Sequence, residues 1–162
     1  MMRRDDGQTL AAVETRFGRL LIAETAGALV RLTWAEGDGV APGPRTPLLR
    51  EAAAQLAAYE TGRLGAFDLP LRVAGSAFQR AVCAAMLAIP FGQTRSYGQI
   101  AAGLGRSAQA VGRACGANPI AIIIPCHRVM GADGSLTGHS GGQGVETKVA
   151  LLRHEGAGGF LL

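Results

Sequence analysis

Cys126-His127-Arg128 is the densest chemistry in this 162-residue chain, a thiol followed at once by an imidazole and a guanidinium. The thiolate is the nucleophile in cysteine chemistry, and a neighbouring His or Arg lowers a thiol's pKa, so the triplet points to a reactive, nucleophilic cysteine. The approach to it, Asn118-Pro119 and then Ile120 to Ile124, is almost wholly β-branched and predicts a buried strand or extended segment. Pro125 stops any ladder and fixes how the thiol is presented. A nucleophile needs a base. In an extended segment neighbouring side chains point to opposite faces, so His127 would reach Cys126 only through a bridging water. Glu155, at the end of a helix through Leu151-Leu152, can return a carboxylate to His127 and complete a relay of nucleophile, base and orienting acid. The alternative for Glu155 is a solvated helix end, and His154 reads as surface or core filler. Cys83 and Cys115 fall on apolar helical faces and read as small buried hydrophobes.

The elements that must position these groups divide at residue 72. Gly18–Ala23 and Ala28–Trp34 are β-type runs around Thr25-Ala26-Gly27, a hairpin spacing. Residues 36–47 are rich in Gly and Pro and predict a loop. Leu48, Leu49, Ala52, Ala53, Leu56 and Tyr59 recur at helical spacing, ended by Thr61-Gly62. Nothing in residues 1–72 concentrates chemistry, and they read as a scaffold domain. In residues 73–162 Ser76 can cap a helix that Pro90-Phe91-Gly92 breaks, and Ser96 can cap a short helix through Ile100 and Leu104. Gly105-Arg106-Ser107 turns the chain into a further helix from Ala108 to Cys115. Two short helices joined by a tight Gly turn form a helix-turn-helix, a unit that can enter a nucleic-acid groove.

Charge follows the same division. Nine Arg balance nine acids in residues 1–72, whereas residues 73–162 hold seven basic residues against three acids and so carry the whole net charge of +4. No acid lies between Asp68 and Asp133, while six Arg do, a single-signed stretch that favours a polyanion. Coding bias toward Arg is the bland explanation, since fifteen of sixteen basic residues are Arg. With 48% hydrophobic and 17% charged residues the chain can bury a core and is not disordered. No apolar run is long enough to span a bilayer and the N-terminus lacks a secretory apolar region, so a cytoplasmic protein is expected. Three unevenly spaced cysteines should be reduced thiols, and neither a disulfide framework nor a metal site can be drawn from them.

Ile-Pro-Cys-His-Arg-Val at 124–129 resembles the active-site segment of the O6-alkylguanine-DNA alkyltransferases, the methylated-DNA–protein-cysteine methyltransferases. It is preceded by Asn118-Pro119 and followed by Gly131-Ala-Asp-Gly134 and Ser140-Gly-Gly142. The resemblance covers roughly residues 76–157 and includes Arg95-Ser-Tyr-Gly-Gln-Ile100, Ala110-Val-Gly112 and Leu151-Leu-Arg-His-Glu-Gly156. It implies an α/β N-terminal subdomain (1–72) followed by a mainly α, winged helix-turn-helix-like C-terminal domain (73–162) that binds DNA in the minor groove. It further implies flipping of the damaged guanine into a pocket and irreversible transfer of its O6-alkyl group to Cys126, without a cofactor or metal. His127 would act as base through water, Glu155 would orient it, and Asn118 would shape the turn bearing the thiol. Tyr97, Val129, His139 and Ser140 would bind the substrate base, and Arg95, Ser96, Gln109, Ala110 and Arg113 would meet the DNA. Arg128 is expected to hold structure through buried pairing. The partner is duplex DNA carrying O6-alkylguanine, with O4-alkylthymine as a further substrate to consider, and a monomer is expected.

Three departures from the family pattern stand out. Gln109 occupies the position where an Arg usually enters the base stack, and it lacks the guanidinium's charge and stacking plane. His139 stands where Tyr or Phe is usual, and Gln143-Gly144 lengthen the pocket loop. Two other classes of function are weighed against alkyl transfer. A non-catalytic lesion sensor of the alkyltransferase-like kind typically has replaced the cysteine that this chain keeps. A cysteine hydrolase or thiol-dependent regulator would need an oxyanion hole and a leaving-group acid that the sequence does not display.

Overall fold

The computed structural model describes residues 7–35, 42–132, 134 and 144–157. Strands β1 (Thr9–Thr15), β2 (Gly18–Thr25) and β3 (Ala28–Trp34) form an antiparallel sheet in the order β1-β2-β3. The β2–β3 hairpin turns on Ala26 and Gly27, both at positive φ (50° and 81°), the twist that a two-residue hairpin loop requires. β1 was not evident in the sequence: Leu10 and Ala11 are both buried and small alanines blur its alternation. Helix α1 (Pro47–Glu60) lies on the sheet, capped by Thr46, whose Oγ1 accepts from the Leu49 amide at 3.0 Å, with Pro47 in its first turn. It buries Leu49, Ala52, Leu56 and Tyr59.

After a short crossing, helices take over: α2 (Ala77–Leu87), α3 (Tyr97–Leu104), α4 (Ala108–Gly116) and α5 (Val145–His154). Ser76, Ser96 and Ser107 each accept a backbone amide at the start of α2, α3 and α4, and Gln99 closes a capping box with Ser96. Gly105 ends α3 in the left-handed conformation (φ 66°), which lets the chain turn directly into α4. A two-residue strand β4 (Arg95–Ser96) pairs in parallel with β5 (Val129–Met130), joining the start of α3 to the segment that follows Cys126. The architecture is thus a small sheet with one helix, followed by a helical part. One buried cluster draws Leu20, Ile22, Leu32 and Leu56 from the first part together with Val82, Val111, Ile124 and Leu151 from the second. No helix among the described residues is long and apolar enough to cross a membrane.

The approach to the thiol departs from the sequence expectation. Ile120–Ile124 is buried, but only Ile120 pairs, in an isolated parallel bridge to Leu32 of β3, and residues 121–124 then fold into a turn. An unbroken apolar run reports burial and carries no period, so it does not distinguish a buried strand from a buried turn. Ile122 sits at φ 71°, a left-handed conformation that costs a β-branched residue roughly 1–2 kcal/mol. Cys126–Arg128 is a 3-10 turn, closed by the Arg128 amide donating to Pro125 O at 2.9 Å.

Candidate active site

Asn118 holds the turn that presents Cys126. Its Oδ1 accepts from the Ile120 amide at 3.0 Å and its Nδ2 donates to Ile124 O at 2.8 Å, so one side chain bridges both ends of the strained turn. β3 grips the same segment from outside, with the Leu32 amide donating to Pro119 O and the Ala121 amide to Leu32 O. Sheet, Asn118 and Pro125 together fix the Cys126 backbone.

Behind the thiol lies a buried charge cluster. His127 Nε2 is 2.7 Å from Glu155 Oε2, and the two side chains are almost wholly inaccessible. Arg128 reaches both oxygens of that carboxylate, Nε to Oε1 at 2.8 Å and an Nη to Oε2 at 3.0 Å, and its other Nη donates to Ile89 O at 2.6 Å. The Tyr59 hydroxyl donates to Glu155 Oε2 at 2.6 Å. Glu155 is therefore paired from three directions, which is how a carboxylate can be buried without prohibitive cost.

Burial raises the Glu155 carboxyl, but the hydrogen bonds from His127, Arg128 and Tyr59 outweigh it and bring the pKa down to about 2. Burial, reinforced by the Arg128 and Lys148 charges, pushes His127 below its ordinary value despite Glu155. Ionised Glu155 beside neutral His127 fixes the tautomer: Nε2–H donates to the carboxylate and Nδ1 is left as an acceptor. Nδ1 is buried and has no hydrogen-bond partner among the described residues. The Cys126 thiol is pushed up by burial, with the Asn118 side chain and the Lys148 charge pulling it back. This corrects the expectation that His127 and Arg128 lower it through their charge: one is neutral and the other is spent on Glu155.

The expected site residues fall into three groups. Cys126, His127, Glu155 and Asn118 are brought together as described. Tyr97, half-buried at the start of α3, has its hydroxyl pKa pushed up to about 12 by burial and by the Cys115 and Cys126 thiols. Val129 is fully buried and its carbonyl accepts from Lys148 Nζ at 2.6 Å. His139 and Ser140 lie outside the described residues. Arg95, Gln109 and Arg113 are exposed, and Ser96 is half-buried as the cap of α3. Ala110 differs: it is buried, and its amide donates to Ser107 Oγ at 3.1 Å, so its side chain is not on the exposed face with Gln109 and Arg113.

Two residues of the cluster escaped the sequence reading. Tyr59 looked like one more apolar position of a scaffold helix, and no local signal marks it otherwise. Lys148 was marked, as the sole lysine in a chain whose other fifteen basic residues are Arg. Its ammonium group lies buried with Nζ 5.8 Å from the Tyr97 ring centroid.

Residues 77–157 match the family described as 6-O-methylguanine DNA methyltransferase, DNA binding domain. A methylated-DNA–protein-cysteine methyltransferase of Methanosarcina barkeri is 43% identical over 150 residues, covering 88% of this chain and 94% of that protein. The crystal structure of the Mycobacterium tuberculosis O6-methylguanine methyltransferase superposes with a TM-score of 0.81 at 41% identity, covering 92% of this chain and 93% of that one. That of Mycobacterium tuberculosis OGT in complex with DNA gives 0.80 at 42% identity, covering 91% and 92%. With the family match spanning residues 77–157 and the relatedness running through nearly the whole chain, this protein belongs to the O6-methylguanine DNA methyltransferase family.

Proposed function

We propose that this protein repairs DNA by direct damage reversal, taking the alkyl group of O6-alkylguanine onto Cys126 Sγ irreversibly and once per molecule. The observation that carries this reading is the buried Glu155–His127 pair beside Cys126, in which His127 keeps an unprotonated Nδ1 without a hydrogen-bond partner among the described residues. The thiol proton passes to His127 Nδ1, through a water in the arrangement we favour, because a thiol whose pKa is raised by burial needs a base near it. The thiolate attacks the alkyl carbon. The Sγ–C bond forms, the C–O6 bond breaks, and its electron pair passes to the guanine ring, which takes up one proton. The imidazolium that forms is stabilised by ionised Glu155, which Arg128 and Tyr59 hold in place.

A base inside a duplex cannot meet a thiol packed into a protein, so the reaction requires the guanine to leave the stack. We assign the grip on the duplex to α3 and α4, read as a winged helix-turn-helix approaching the minor groove. Arg95, Ser96 and Arg113 contact the backbone and Gln109 fills the gap left by the flipped base. Residues 73–162 carry these tasks and residues 1–72 brace them. Tyr97, the Val129 carbonyl, His139 and Ser140 line the pocket in this scheme.

The test is intact-protein mass spectrometry after incubation with excess O6-methylguanine duplex. A single gain of about 14 Da, a methyl replacing the thiol proton, is expected on Cys126 and absent from Cys126→Ser and from undamaged duplex. Tight lesion-selective binding without any mass gain would replace this reading with that of a lesion sensor.

A further inference from the structure

We propose that Tyr59, on the N-terminal helix α1, is a positioning residue of the alkyl-transfer site. Its hydroxyl, 2.6 Å from Glu155 Oε2, takes up charge on the oxygen that receives His127 and thereby keeps His127 neutral at Nδ1. The inference rests on the reading of His127 as the base given above.

Glu155 Oε2 receives three donors, the Tyr59 hydroxyl, His127 Nε2–H and one Arg128 Nη, while Oε1 receives Arg128 Nε. Each donor draws on the same negative charge. An oxygen with fewer donors stabilises an adjacent imidazolium more strongly, so losing the Tyr59 hydroxyl would let His127 hold a second proton to higher pH. A base already protonated cannot accept the thiol proton. Tyr59 is suited to this task because burial and Glu155 push its hydroxyl far up, and it stays a donor wherever the protein is folded.

The packing around Tyr59 fixes the direction of that hydroxyl. Its carbonyl lies 2.6 Å from His154 Nε2, and Arg16, from the β1–β2 turn, reaches both His154 Nδ1 and Glu60 O at 3.4 Å. Its ring packs against those of His154, Phe67 and Phe17 at centroid distances of 4.9, 5.4 and 6.0 Å. The charged or titratable groups facing the His127–Glu155 pair are Tyr59 from α1, Arg128 from the 3-10 turn and Lys148 from α5, with Cys126 next to His127 in the chain. Arg16 and His154 flank Tyr59 from the far side. All of these except the hydroxyl persist in Tyr59→Phe.

The experiment compares the full-length protein with Tyr59→Phe in two measurements. Single-turnover methyl transfer from an O6-methylguanine duplex is followed from pH 5 to 9, and the His127 imidazole is titrated by NMR with Cys126→Ser in both backgrounds. His127 should protonate at higher pH in the variant, by about half a unit or more, and the acid limb of the rate should move with it. The rate at the acid end of the range then falls, by up to about threefold for a half-unit shift, while that near pH 8.5 stays within about twofold. Should Tyr59→Phe not fold, 3-fluorotyrosine at position 59 keeps the shape with a more acidic hydroxyl, and both profiles should move down. An unmoved His127 titration, or a rate loss equal at all pH values, overturns the proposal. The NMR titration needs no alkyl transfer, so it still decides the role of Tyr59 if the wild-type protein gains no mass.

Discussion

Glu155 accepts hydrogen bonds from three side chains with only 4% of its surface exposed, so the charges behind Cys126 are arranged before any DNA arrives. The arrangement is tied to acidity. As pH falls below the ordinary histidine value of 6.5, the unfolded chain binds a proton at His127 before the folded protein does, and stability declines. A second loss follows between 4.5 and about 2, where the unfolded Glu155 carboxyl is protonated and the folded one is not. That second step is worth roughly 3 kcal/mol. Urea denaturation at a series of pH values should show stability falling through both windows, and Glu155→Gln should lack the lower one. At this scale the sequence was informative where chemistry is local. Cys126 and His127 stand in one short motif, and Glu155, 28 residues from His127, stands out as a carboxylate at a helix end that can return to it. Tyr59 was illegible because it is 96 residues from Glu155 and sits at an ordinary apolar position of its helix. Only the fold brings its hydroxyl to the carboxylate.

Elements were legible in proportion to their end signals. Serine caps mark α2, α3 and α4, Gly105 ends α3, and the structure has these helices within a residue or two of where those signals put them. β1 and the Ile120–Ile124 turn were not legible, the first for want of alternation and the second because its shape comes from Asn118 and β3. At this scale Gln109, exposed near the start of α4, is the position to test. Arg stacks on bases and carries charge where Gln does neither, so Gln109→Arg should bind lesion-bearing duplex about 1 kcal/mol more tightly, about fivefold. Fluorescence anisotropy at fixed ionic strength reads this, with the Cys126 methylation rate at saturating DNA as the companion measurement.

Across the whole molecule the excess positive charge belongs to residues 73–162, and Arg95 and Arg113 present part of it to solvent. Binding through backbone phosphates should weaken with salt, and Arg95→Ala should flatten the plot of log affinity against log salt by about one unit if it neutralises one phosphate. Equal slopes for wild type and variant would remove Arg95 from the interface. The first part of the chain nevertheless reaches the site. β3 grips the reactive turn and α1 delivers Tyr59, so the first part touches the site at two points.

The pairing of β4 with β5 bears on dimensional tolerance. Arg95 lies opposite Val129 and Ser96 opposite Met130, so the residue that opens α3 and the residues just beyond the thiol share one rung of backbone. Misplacement between two parts of a machine accumulates over every joint that separates them, and here the start of α3 and the sulfur are separated by that pairing and a three-residue turn. Group transfer can lose about a hundredfold from a displacement of about 1 Å. With α3 seated on the duplex as proposed above, a linkage this short makes the duplex and the nucleophile parts of one calibrated gauge, in which aligning the helix also aligns the sulfur.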